Sequence, residues 1–314
     1  MRAVRADGNG GVAVVQVETA PPPGMVDPVR VRIAACGICG SDHQLARWNL
    51  PATLGHEFAG YLDDGTAVTV RPDVWCGECD RCLAGESELC RAEGKLMHGV
   101  SIDGGLGEVV YADARGIVPL PAGVRAVDGA LTEPLSVGLH AVNRIDPATA
   151  GRVLVIGGAA IGLAAVAALG AAGVTADLEA RHPRQWEAAE RLGAGRGATG
   201  EYDVVIDAAG TQSAIDRAVE LLRPGGTLVE VGTWWDPVQI GTGFLMKEIR
   251  LLPATMTGHT HGDLEFAHSA ALLAARPELV DAIVTHRFGL DDAVEAFRVS
   301  ADRSAGAIKV VIEP

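Results

Sequence analysis

The sequence predicts an α/β protein of two domains, one mostly β and one built as a doubly wound parallel sheet. Three observations predict it. Up to about residue 130 the apolar residues fall in short Val/Ile runs cut by Gly and Pro, the mark of short strands and turns. Beyond about residue 135, runs of strand length alternate with Ala-rich helical stretches, as in the βαβ units of a parallel sheet. Between the first such strand and its helix lies a glycine-rich turn, Gly157-Gly158-Ala159-Ala160-Ile161-Gly162. The length of 314 residues suits two domains of about 100–200 residues each.

Residues 1–18 alternate charged and apolar side chains like a strand and lack the apolar core of a cleavable signal. Strands are expected at 29–33, 67–70 and 108–112. Residues 153–176 carry no charge, which on length alone makes them a membrane-span candidate. Their composition argues otherwise, since Ala and Gly dominate. The segment divides into a buried β run, a turn, an Ala-rich helix over 163–172 and a second strand. Strands are expected at 152–156, 174–179, 203–207 and 227–231, the last fed by a turn at Leu222-Arg-Pro-Gly-Gly226. Helices at 263–275 and 291–300 and a final strand at 307–312 close the chain, and no internal repeat stands out.

Composition narrows the function. There are 26 basic and 40 acidic residues, a formal charge of −14, which argues against a nucleic-acid or anionic-membrane partner. Apolar residues at 48% and charged residues at 21% are those of an ordinary globular protein. The 40 glycines imply many tight turns or close backbone approaches. Six cysteines lie in two clusters, 36/39 and 76/79/82/90. Such clusters in a long chain without an export signal read as metal ligands in a reducing cytoplasm.

Cys76, Cys79, Cys82 and Cys90 follow a C-x2-C-x2-C-x7-C spacing. Four thiolates so close can close a tetrahedron around zinc and leave no position for substrate, so this is a structural site. The second patch is Cys36-Gly-Ile-Cys39-Gly-Ser41-Asp42-His43, followed by Gly55-His56-Glu57. Cys39, His56 and a carboxylate would form a three-ligand zinc site with an open fourth position, the catalytic arrangement. Glu133, in Thr132-Glu133-Pro134-Leu135-Ser136-Val137-Gly138 at the junction of the two regions, is a further acidic candidate.

The turn at 157–162 sits where a dinucleotide fingerprint belongs, after a strand and before a helix. Its glycines permit close approach of a pyrophosphate to the helix N-terminus. Ala159 fills the middle glycine slot, so the string is degenerate. About 20 residues on, NAD sites carry an acid that binds the ribose 2′-OH. That count reaches Arg181, in Glu179-Ala180-Arg181-His182-Pro183-Arg184. Arg181 and Arg184 with His182 favour a 2′-phosphate, hence NADP. A register two residues earlier would restore an acidic ligand at Glu179, hence NAD.

These motifs, in this order and across the whole chain, resemble the zinc-containing medium-chain dehydrogenase/reductase family of alcohol dehydrogenase-like enzymes. Within it, EPLSVG and the carboxylate-rich zinc site are most similar to the sorbitol, threonine and glucose dehydrogenase branch. The resemblance implies a GroES-like mostly-β catalytic domain begun over 1–134, a Rossmann nucleotide-binding domain over 135–257, and completion of the first over 258–314. It implies Cys39 and His56 as catalytic zinc ligands, with Glu57 a ligand or near neighbour and Glu133 a ligand directly or through water. Cys36 is then a buried packing residue. Ser41 begins proton transfer from substrate. Relatives often place a relay histidine five residues after the zinc cysteine; here that position is Gln44 and the histidine is His43, so the relay uses His43, Gln44 or water. Lys309 matches a basic residue that approaches cofactor phosphate. Trp48, Trp234 and Trp235 are candidates for a substrate pocket or for packing.

The expected activity is reversible hydride transfer between NADP(H) and an alcohol/carbonyl pair, with one catalytic and one structural zinc, in a homodimer or homotetramer. An NAD-dependent polyol or sugar dehydrogenase is the alternative. A non-catalytic NADPH-binding protein is the rival from a different class, and intact Cys39, His56, Glu57 and Glu133 speak against it.

Overall fold

The computed structural model describes residues 1–260 and 263–314. The chain forms two compact units, one of residues 1–133 with 258–314 and one of residues 134–257.

The first unit is built around a mixed seven-stranded sheet. Its long strand Pro28–Ile38 pairs antiparallel with Glu57–Tyr61, with Val109–Asp113 and with the last strand, Lys309–Glu313. Chain end and chain start are therefore neighbours: Val311 faces Gly37 and Ile312 faces Cys36. Glu57–Tyr61 pairs on with Ala67–Val70, and that with Ile117–Pro119. The core behind these strands contains Val31, Ile33, Leu54, Phe58, Val68, Leu106, Val110 and Ile312. Helix Ala293–Ala301 lays Ala293, Ala296, Phe297 and Val299 into it. Gly37 is needed where Glu57 crosses it, because a Cβ there would collide with the Glu57 carboxylate.

The second unit is a six-stranded parallel sheet in the order Gly195–Arg196, Ala176–Glu179, Val153–Ile156, Tyr202–Asp207, Leu222–Glu230, Arg250–Pro253. The order reverses at Val153–Ile156, and ligands of such sheets bind beyond the strand ends at that point. Val153–Ile156 is buried throughout, as expected for a strand covered on both faces. The uncharged stretch after it is helix Ala160–Ala171, whose residues Gly162 to Leu169 are all buried. No helix among the described residues is long and apolar enough to cross a membrane.

One detail differs from the sequence reading. Residues 222–226 do not end as a free turn: Leu222 pairs with Tyr202 and Thr227 with Val204, so the intervening Arg223-Pro-Gly-Gly226 bulges from one strand. Pro224 has no N–H to donate, and the positive φ of 73° at Gly225 makes the bend. The junction motif, to which the sequence assigned no element, is helical. Thr132–Asn143 forms a helix with Pro134 in its first turn, where a missing N–H is tolerated.

Candidate metal centres and nucleotide turn

Cys39 and His56 are brought together by two neighbouring elements. Cys39 caps helix Gly40–Arg47 with extended backbone, φ −86° and ψ 154°. His56 directly precedes strand Glu57–Tyr61. One ligand atom from each of Cys39, His56 and Glu57 lies within 4.8 Å of the others. Asp42, three residues into the helix, lies against both Cys39 and His56. Its Oδ2 accepts from the Cys39 N–H at 2.9 Å, and its Oδ1 lies 3.6 Å from His56 Nδ1. A carboxylate behind the far nitrogen orients an imidazole for a metal on the near one. His56 Nε2 lies 3.4 Å from Ser41 Oγ.

Several acidic side chains crowd this pocket. Burial pulls His56 down, but Asp42, Cys39 and Glu133 together outweigh it and raise its pKa well above the ordinary range. Lys309 Nζ donates to Glu57 Oε1 at 2.6 Å and to the Ile38 carbonyl at 3.1 Å. Glu57 Oε2, Asp42 Oδ1 and His56 Nδ1 are buried without a hydrogen-bond partner among the described residues. Buried carboxylates in this state call for a cation, and a thiolate, an imidazole and a carboxylate are donors that zinc accepts. The residues fit the metal. Glu133 stands outside the compact trio; it is buried, and burial pushes its carboxyl up to about 7.

The four-cysteine loop gathers a second group of residues that could hold a metal ion. Ligand atoms of Cys76, Cys79, Cys82 and Cys90 lie within 4.8 Å of one another. The Cys76 sulfur is 3.8 Å from that of Cys82 and 3.6 Å from that of Cys90. A tetrahedron with Zn–S of about 2.3 Å has edges of about 3.8 Å. Backbone N–H groups of Cys76 and Cys79 donate to the sulfurs of Cys90 and Cys76, both at 3.4 Å. N–H groups at Arg91 and Cys82 draw the Cys79 thiol down to about 6. The loop is tied to the sheet by buried Arg71, which binds Asp73 through two bonds of 2.6 and 2.8 Å and Ser87 at 2.8 Å. Trp75 stacks on the Arg71 guanidinium at 4.5 Å.

The remaining expected residues divide. Cys36 is fully buried, and burial raises its thiol well above the ordinary value. His43 Nε2 bonds Ser300 Oγ at 2.9 Å and its ring meets Phe297 edge-on. Lys309 is 6% exposed. Its ammonium is engaged by Glu57, where the sequence reading sent it to a cofactor phosphate; the register that sets Val310 opposite Ile38 is the reason. Trp48 and Trp235 are exposed, and Trp234 half-buried.

In the second unit, Gly157 has φ +112° and its N–H donates to the Glu179 carbonyl at 2.9 Å. Ala159 caps helix Ala160–Ala171. At Gly162 a Cβ would collide with the Gly157 carbonyl, and at Gly158 it would come within 2.7 Å of Ala180 and Gln185. The degenerate string thus folds as a phosphate-binding turn does. Arg181 follows the end of strand Ala176–Glu179 and its Nη2 donates to Ser213 Oγ at 3.0 Å. Arg184 lies exposed in the first turn of helix Pro183–Arg191.

A family described as the alcohol dehydrogenase GroES-like domain matches residues 26–122, and one described as zinc-binding dehydrogenase matches residues 137–274. L-galactonate-5-dehydrogenase of Escherichia coli is 30% identical over 316 residues, covering 90% of each chain. Galactitol 1-phosphate 5-dehydrogenase of the same organism is 29% identical over 350 residues, 100% of each. A zinc-binding dehydrogenase of Sinorhizobium meliloti, solved bound to NADP, is 30% identical with a TM-score of 0.87 over 100% of this chain and 99% of that one. The chain belongs to the zinc-binding alcohol dehydrogenase family. It is an alcohol oxidoreductase of the zinc type.

Sequence reading passed over Asp42 as a ligand organiser and Glu230 altogether. Asp42 is signalled by its place three residues after a helix-capping cysteine. Glu230 is signalled by a charge inside the apolar run Leu228-Val229-Glu230-Val231. Glu230 ends its strand opposite Asp207 on the next one, and both are buried. Burial, then the Asp207 carboxylate, pushes Glu230 from 4.5 up to about 9. A raised acid favours the folded state below its unfolded pKa and loses that contribution as pH rises through the folded one. The Glu230 contribution to stability should therefore fall between pH 4.5 and about 9. Glu230→Leu should flatten that fall and gain at least about 2–4 °C at pH 8. Thermal melts at a series of pH values check this, and an unchanged slope rejects it.

Proposed function

We propose that this chain oxidises a polyol-like alcohol reversibly to the carbonyl compound, with NADP as hydride acceptor. The observation that carries it is the Cys39, His56 and Glu57 trio beside Ser41. Cys39 and His56, with Glu57 or Glu133 as further ligand, would hold zinc there, and it would supply a Lewis acid that makes the substrate hydroxyl more acidic. Asp42 orients His56 and the Cys39 backbone. Lys309 holds one Glu57 oxygen, which limits how that carboxylate can turn. Ser41 accepts the hydroxyl proton of the substrate. The Ser300 hydroxyl donates to the Phe297 carbonyl at 2.9 Å, so it receives the Nε2 proton of His43. Nδ1 of His43 is then the basic nitrogen. Burial lowers the His43 pKa and keeps it neutral, able to take the proton onward alongside Gln44 or water. Cys76, Cys79, Cys82 and Cys90 hold a second, structural zinc.

The test is metal analysis with kinetics. Cys39→Ser should retain one zinc per chain and lose turnover, whereas Asp42→Asn should lower activity about 10–100-fold. Two zincs and full turnover in Cys39→Ser would sink the reading.

The cofactor reading rests on Arg181 following the strand end, with Arg184 and His182 close in sequence, and on likeness to the NADP-bound relative. The polyol-like substrate rests on relatives named for galactitol 1-phosphate, L-galactonate and sorbitol. Arg181→Asp should cut the NADP/NAD ratio of kcat/KM at least about tenfold. Steady-state kinetics with both cofactors measures it, and an unchanged ratio overturns the assignment.

We also propose a homodimer or homotetramer. Strand Arg250–Pro253 ends its sheet among the described residues, and Leu245 and Met246, just before it in the chain, are 71% and 77% exposed. Exposed edges and apolar patches favour pairing. Light scattering should show an oligomer that Met246→Glu weakens; a monomeric wild type refutes it.

A further inference from the structure

The end of strand Ala176–Glu179 carries an acid as well as a base. Glu179 sits where NAD-dependent folds keep the carboxylate that reads the ribose 2′-OH. Its carbonyl is bonded to the N–H of Gly157, the first residue of the nucleotide turn, so it stands directly at the fingerprint. A free carboxylate here would bind a ribose diol and repel a 2′-phosphate carrying about −1.5 to −2 charges. The Glu179 carboxylate is not free. Arg217, on helix Gln212–Leu221, reaches it with Nε at 3.2 Å from both oxygens and Nη2 at 2.8 Å from Oε1. Its Nη1 is held at 2.9 Å by Glu220, three residues along the same helix. The same helix carries Ser213, which accepts from Arg181 Nη2 at 3.0 Å.

One helix therefore acts on both charges that face the strand end. Its Arg217 forks over the acid, in the two-donor geometry that makes Arg–carboxylate pairs directional. Its Ser213 steadies the base. The pair is about one-third exposed on the arginine side and one-quarter on the glutamate side, so its effect on a nearby phosphate is only partly screened.

We propose that Arg217 is a positioning residue for cofactor choice: by neutralising Glu179 it removes the acid that would select NAD, and so lets Arg181 select the 2′-phosphate of NADP. This rests on the NADP reading above. It adds a determinant some 36 residues along the chain from Arg181, on an element that carries no part of the fingerprint. It also accounts for the coexistence of Glu179 and Arg181 within three residues, which the sequence left as rival readings.

The test is calorimetric binding of NADP+ and of NAD+ to the full-length zinc-loaded protein, which needs no substrate and no turnover. Wild type should bind NADP+ more tightly. Arg217→Leu should lower the NADP+/NAD+ affinity ratio at least about tenfold by unmasking Glu179. Glu179→Gln should leave the ratio within about threefold, since the acid is already neutralised. The double variant should return toward wild type, a rescue that general structural damage would not produce. An unchanged ratio in Arg217→Leu, or a double variant as poor as that single, overturns the masking. Should Arg217→Leu fail to fold, Glu179→Gln decides alone: a gain of more than about tenfold in NADP+ affinity means Glu179 was never masked. A wild type that prefers NAD+ overturns the cofactor reading itself, and is seen before any variant is made.

Discussion

Lys309 and Glu57 lie 252 residues apart and meet at 2.6 Å inside the first unit. Removing one member of a buried ion pair costs about 3–5 kcal/mol, because the other charge is left without compensation. The pair therefore demands that the last strand dock in one register against Pro28–Ile38, and that register also seals the sheet between Val284–Gly289 and the strands of the N-terminal half. The same bond restrains the Glu57 carboxylate, next to His56 in the chain. Sheet closure and the shape of the metal pocket are one requirement.

The pocket around that bond carries more acid than base. Among the described residues, Glu57, Asp42, Glu133 and the Cys39 thiol face Lys309 and His56, and the buried oxygens of Glu57 and Asp42 that lack a hydrogen bond mark where positive charge is wanted. The helix that starts at Cys39 supplies two further roles within one turn. Asp42 lies against Cys39 and His56, and Ser41 Oγ lies 3.4 Å from His56 Nε2. The four-cysteine loop is different in kind: all its donors point at one another, and its tie to the sheet runs through a buried arginine.

What could be read from sequence was whatever is written locally. Cysteine spacing announced the four-sulfur cluster because its ligands fall within 15 positions, and the charge-free stretch at 153–176 resolved into strand, turn and helix because its apolar periodicity is short-range. The fingerprint was legible despite Ala159, since only the backbone at that turn has to approach closely. Pairings made by tertiary register were not legible. Lys309 gave no sign that Glu57 would claim it, and Arg217 none that it would reach across to Glu179, because neither contact follows from a helix or strand period. Glu230 was overlooked for another reason: a buried acid that stays protonated behaves like an apolar residue and does not disturb the strand it occupies.

The placement of the last strand has a further consequence, for how the chain reaches this structure. The second unit is assembled from βαβ steps between neighbours in sequence, and its contacts become available as soon as residue 257 has been made. The first unit cannot complete its sheet until the final residues exist, since Ile312 must find Cys36. Left as a disordered loop between residues 133 and 258, the inserted segment would impose an entropic penalty on that closure. Folded first, it shortens the effective loop, and domain-wise folding during synthesis favours that order. Until then the edge of Pro28–Ile38 that awaits its partner stands open, and open edges recruit other chains. The second unit is then also a spacer whose early folding shortens the life of a hazardous intermediate.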